Sequence, residues 1–144
     1  MAIKLIALDL DGTTLNNDRV ISERNRNALQ QAAEKGVNIV IATGRPFSAL
    51  PGDVFEIPAI RYVLTSNGAS ITDLKEDKTF YKNCLSPLAV EKSVEMLRQH
   101  DYVVECFVKG IAYIDGSYFE EVKRTGSSIR NIDYILKTRN RTMM

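Results

Sequence analysis

Asp9 and Asp11, one residue apart, close a run of apolar residues made of Ile3, Leu5, Ile6, Ala7, Leu8 and Leu10. Gly12, Thr13 and Thr14 follow at once. Gly12 lets the backbone turn sharply and approach a ligand closely. The Thr13 hydroxyl and the N–H groups of such a turn can face an anion. Two carboxylates beside an anion-binding turn would repel a phosphate unless a cation sat between them. Oxygen-only ligands beside a phosphate suit Mg²⁺, with Asp9 and Asp11 as its candidate ligands. The plain alternative is an acidic turn after a strand.

The run before the acids is too short for a typical helix and reads as a strand buried on both faces. In an open parallel sheet, ligands gather beyond the carboxyl ends of strands. A second candidate strand, Val37 to Ala42, also ends in chemistry, at Thr43-Gly44-Arg45-Pro46. Thr43 is placed to donate a hydrogen bond to a phosphoryl oxygen. Gly44 permits a turn, and Arg45 either grips an anion or braces the turn through a salt bridge. A third strand around Tyr62–Leu64 ends at Asn67-Gly68, which is equally a hairpin signal.

The stretch Asp-Leu-Asp-Gly-Thr resembles the first motif of the haloacid dehalogenase superfamily. Within it the chain is most similar to the Cof-type branch with a class IIB α/β cap. That resemblance implies that Asp9 is a nucleophile forming an aspartyl-phosphate and that Asp11 is the general acid and base. It implies Mg²⁺ as cofactor. Thr43 matches the family's second motif, and Asn67-Gly68 matches a pair near the substrate entrance. Family members that cleave carbon–halogen bonds lack the second acid, so Asp11 favours phosphate esters. The implied fold is α/β, with a Rossmann-like parallel-sheet core. Residues 1–84 are expected to hold the first half of that core and 85–144 part of a cap.

The 144 residues suffice for one domain with a real core. A net charge of +1 gives no electrostatic case for nucleic acid or an anionic membrane. No apolar run approaches membrane-spanning length. With the chain starting directly in a strand, no signal peptide is expected, and the expected location is cytoplasmic. Cys84 and Cys106 match no metal-site spacing and read as reduced core thiols. His100, near a helix end, reads as a surface residue.

Ser22 is a suitable N-cap for a helix from about Glu23 to Lys35, which Gly36 should end. Pro51, Gly52 and Pro58 argue against a long helix between Phe47 and Ile60. Ser70–Thr72 and Thr79–Lys82 read as a hairpin. Ser86-Pro87 opens a helix to about Gln99. Val103–Val108 and Ile111–Ile114 form a second hairpin, residues after Ser117 look mainly helical, and Lys137–Arg141 reads as a solvated basic tail.

The resemblance also implies, after the cap, a Lys and an acidic pair in a Gly-Asp context that are not expected within these 144 residues. The chain therefore reads as half an enzyme, inactive alone, binding Mg²⁺ weakly and prone to self-association through a bare sheet edge. The expected substrate of the complete enzyme is a small phosphorylated metabolite such as a sugar phosphate. Competing readings are a phosphosugar mutase, a minimal active hydrolase and a non-catalytic binding module. A receiver-type signalling domain would need its acceptor Asp on a later strand.

Overall fold

The structure, a computed structural model, describes residues 2–100, 104–116, 124 and 139–142. The chain divides into two compact units. The first comprises Met1–Arg45 and Leu50–Asn83, the second Pro46–Ala49 and Cys84–Met144.

The first unit is built on one five-stranded sheet in the order β1-β2-β3-β4-β5. Strands β1 (Leu5–Leu8), β2 (Asn38–Ala42) and β3 (Ile60–Thr65) are parallel. Strands β4 (Ser70–Asp73) and β5 (Lys78–Lys82) continue the sheet antiparallel. The expected α/β arrangement, parallel strands followed by a hairpin, is present. Helix α1 (Glu23–Glu34) connects β1 to β2. Its start is set by Ser22, whose Oγ accepts from Asn25 N–H at 3.2 Å. Its end is set by Gly36 at φ 80°, where Gly36 and Val37 N–H groups donate back to the Ala33 and Ala32 carbonyls. That pairing satisfies two carbonyls the helix leaves open. Between β2 and β3 the prolines permit only the five-residue α2 (Gly52–Glu56). Ile39, Ile41, Val54, Val63 and Leu10 are fully buried and form the centre of this unit's core.

The second unit contains a short 3₁₀ turn, Phe47–Ala49, and helix α3 (Pro87–Arg98), capped by Ser86 Oγ accepting from Ala89 N–H. It also contains a three-stranded sheet of β6 (Glu105–Val108), β7 (Ile111–Asp115) and β8 (Arg139–Thr142). The expected second hairpin is β6–β7, turning at Lys109-Gly110.

Three expectations are corrected. The β1 strand is not buried on both faces: Leu5 is 54% exposed and Ala7 is exposed. Among the described residues β1 pairs with β2 alone, so nothing described covers its other edge. The basic stretch at Arg139–Thr142 is not a free tail but a strand, pairing parallel to β7 from Ala112↔Arg139 to Asp115↔Thr142. Hydrogen bonding to an available strand edge overrides its weak intrinsic preference. Finally, Cys84 is exposed and Cys106 half-buried; both are free thiols, but neither belongs to the core. The helical reading of the residues after Ser117 falls largely outside the described residues.

Candidate active site

The candidate residues lie where the parallel strands of the first unit end. Leu8 pairs with Ile41 and Ala42 pairs with Leu64, so Asp9, Thr43 and Thr65 leave three adjacent strands on the same edge of the sheet. This is the edge where open α/β sheets gather ligands.

Beyond β1 the chain makes one wide turn, Leu10–Thr14, closed by Leu15 N–H donating to the Leu10 carbonyl at 3.0 Å. Gly12 sits at φ 72° with open space where a Cβ would stand, so conformation rather than crowding demands glycine there. Leu10 is wholly buried and anchors the turn, while Asp9, Asp11, Gly12 and Thr13 are exposed. Asp9 Oδ1 accepts from Leu10 N–H at 2.8 Å, which orients the carboxylate. Sequence reasoning singled out Thr13; the threonine that builds the turn is Thr14. It is buried, and its hydroxyl donates to the Asp9 carbonyl at 2.5 Å. Two adjacent threonines carry no signal in sequence for which one points inward.

At the end of β2, Thr43 is buried and its Oγ1 accepts from Arg45 N–H at 3.2 Å. A hydroxyl that accepts this bond keeps its own hydrogen for an acceptor such as a phosphoryl oxygen. Gly44 brings the two turns close: a Cβ there would lie 2.8 Å from Asn67 Oδ1, so the Asn67 side chain would have to shift. The Asn67-Gly68 turn therefore joins β3 to β4 and also stacks on the β2 turn. Ser66 and Asn67 adopt φ 51° and 56°, and Gly68 φ 88°. Left-handed backbone at two non-glycine residues is costly and persists only where the surroundings enforce it. Here Ser66 N–H donates to the Arg45 carbonyl at 2.9 Å and Asn67 N–H to the Thr43 carbonyl at 3.3 Å.

Of the two roles open to Arg45, the structure realises the salt bridge, and its partner is Asp11. Arg45 Nε reaches Asp11 Oδ2 at 2.8 Å and Nη2 reaches Oδ1 at 2.6 Å. The side chains are 12% and 58% exposed, respectively. The guanidinium holds the Asp11 carboxyl below its ordinary value of 3.8; partial burial opposes this and the charge of Arg19 adds to it.

The family model for haloacid dehalogenase-like hydrolases matches residues 6–143. The chain belongs to the haloacid dehalogenase-like hydrolases. It is 42% identical over 71 residues to a 5-amino-6-(5-phospho-D-ribitylamino)uracil phosphatase of Bacillus subtilis, covering 49% of this chain and 28% of that one. It is 34% identical over 113 residues to a second Bacillus subtilis phosphatase, covering 77% of this chain and 39% of the relative. Among solved structures, a haloacid dehalogenase-like hydrolase from B. subtilis matches with a TM-score of 0.76 at 27% identity, over 97% of this chain and 54% of that one. A subclass IIB sugar phosphatase matches with a TM-score of 0.67 at 27% identity, over 85% and 47% of the two chains. The chain thus spans 28% and 39% of these two curated relatives and about half of the solved haloacid dehalogenase-like structures.

The donor set at the strand ends is all oxygen, which fits a hard divalent cation held by one or two carboxylates. Among the described residues no group of three His, Cys, Asp or Glu side chains converges on a metal position. Among the described residues at this edge, Asp9 offers its carboxylate, while that of Asp11 is paired with Arg45.

Proposed function

We propose that this chain carries the nucleophile-bearing half of the active site of a Mg²⁺-dependent phosphomonoesterase, with 1–84 as part of the core and 85–144 as part of a cap. The observation that carries this reading is the placement of Asp9, Asp11 and Thr43 at the ends of two adjacent parallel strands. Asp9 attacks phosphorus, the P–O bond to the leaving group breaks, and Asp11 protonates the departing oxygen. Asp11 then takes a proton from a water that attacks the aspartyl-phosphate, which frees phosphate and regenerates Asp9. Thr43, the N–H groups around Gly12 and Thr13, and the turn at Gly44, Asn67 and Gly68 line the position for the phosphoryl oxygens. Mg²⁺, which the Asp9 carboxylate and the turn backbone at Asp11 would hold, would offset the charge between carboxylates and phosphate.

The names of the relatives, a phosphoribitylaminouracil phosphatase and a sugar phosphatase, favour a small phosphorylated metabolite. Nucleic acid is not a proposed partner, given the balanced charge. Among the described residues no helix is long and apolar enough to cross a membrane. A cytoplasmic location is part of the same proposal. A phosphosugar mutase is the second reading, because it would use the same two acids.

The test is phosphate release from an aryl phosphate and from sugar phosphates, with Mg²⁺, by the protein joined to the remaining length typical of its relatives. Asp9→Asn should abolish turnover. Undiminished release would remove Asp9 from the nucleophile role, and phosphate transferred between sugar positions rather than to water would select the mutase.

A further inference from the structure

A general acid must have a free oxygen to carry its proton, yet both oxygens of Asp11 are held by one guanidinium. The two partners are unequally fixed. Asp11 is more than half exposed on an open turn, so its side chain can move into water. Arg45 is nearly buried, and its backbone is tied on both sides: its N–H donates to Thr43 Oγ1 and its carbonyl accepts from Ser66 N–H. The fork that holds Asp11 is therefore anchored within two residues of the threonine that faces the phosphoryl position. Guanidinium binds phosphate with the same paired geometry it uses for carboxylate, and a phosphate dianion carries more charge than a carboxylate.

We propose that Arg45 is a latch opened by substrate: it pins Asp11 in the empty site, and an arriving phosphate group takes the guanidinium and sets Asp11 free. This rests on the phosphomonoesterase reading and deepens it. The acid becomes available only when a phosphate is present to be acted on. Gly44 and the left-handed turn at Ser66–Gly68 have a part in this device, because they hold the Arg45 backbone in place while its side chain changes partner.

The experiment uses the 144-residue chain and orthophosphate without added divalent ion, followed by NMR. The Gly12 and Thr43 amides report occupancy of the site, and the Arg45 Nε–Hε signal reports the latch. Dissociation constants are measured for the native chain, Asp11→Asn, Arg45→Ala and the double variant. The latch predicts that Asp11→Asn tightens phosphate binding by about twofold to fivefold when Arg45 is present, the range set by exposed ion pairs. The gain should be smaller in the Arg45→Ala background, where no guanidinium remains to be released. Simple charge repulsion predicts the opposite order, because Asp11 is least screened when Arg45 is gone. A larger gain without Arg45, or an Arg45 Nε–Hε signal unmoved at saturation, overturns the latch while leaving the phosphate site standing. No response of Gly12 or Thr43 in any of the four chains overturns both. Amide dispersion checks folding, and Arg45→Gln replaces Arg45→Ala in the cycle if the latter unfolds.

Discussion

The Asp11–Arg45 pair has a consequence for stability that is separate from catalysis. The folded-state pKa of Asp11 lies below its ordinary value. A group shifted in that direction contributes stability above the unfolded pKa and loses it as pH falls through the folded one. Asp11→Asn removes that contribution, so the native chain should be the more stable of the two at neutral pH. The margin is at most about 1 kcal/mol, because the carboxylate is largely in water. It should shrink once the pH falls below 3.8 and vanish below the folded pKa. Urea-unfolding midpoints of both chains across an acid pH series check this. Asp73 is also shifted downward, its burial outweighed by Arg61 and by the N–H groups of Glu76 and Lys75. That carboxylate is common to both chains, so its effect cancels in the difference. A margin independent of pH would mean that the pair does not hold in solution.

Among the elements, α1 and α2 depend on a tie that sequence did not reveal. Asp53, in the first turn of α2, accepts from Ile21 N–H through Oδ2 at 2.5 Å and pairs with Arg26 Nη2 through Oδ1 at 2.6 Å. Ile21 is almost wholly buried, so its N–H has little access to water if that acceptor is lost. Asp53→Ala should destabilise the fold by about 2 kcal/mol, and Asp53→Asn, which keeps an acceptor, by roughly half as much. Chemical denaturation measures both, and equal losses would assign the effect to the charge alone. Local signals were legible: Ser22 and Gly36 bound α1, Ser86-Pro87 starts α3, and Asn67-Gly68 and Lys109-Gly110 turn their hairpins. The ties between distant residues were not. Arg45 and Asp11 are 34 positions apart, Asp53 and Ile21 are 32 apart, and neither spacing has a periodicity to betray it. The strand Arg139–Thr142 was misread because its residues lack an apolar alternation and owe their conformation to β7.

For the whole molecule, the two edges of the larger sheet differ in kind. At one edge β5 exposes Phe80 and Tyr81 but carries Lys78 and Lys82 at its ends, charges that discourage strand addition. At the other, β1 has no partner beyond β2 among the described residues and presents Leu5 at 54% exposure, with Ile3 beside it at 69%. Its sequence reads as a buried strand because its residues suit one, and the structure leaves that suitability unused. A short apolar strand with an available backbone edge is a template for another strand. The nearest supply in a solution of this protein is a second copy of the same edge. The net charge of +1 offers little long-range repulsion to oppose the encounter. The chain should therefore self-associate reversibly, with a weight-average sedimentation coefficient that rises with concentration. Leu5→Lys adds a charge at a side chain already more than half in water, so it should cost the single copy less than about 0.5 kcal/mol. It should nevertheless hold the protein monomeric over the same concentration range. A native chain that stays monomeric throughout, or a Leu5→Lys chain that associates equally well, would remove the β1 edge as the contact.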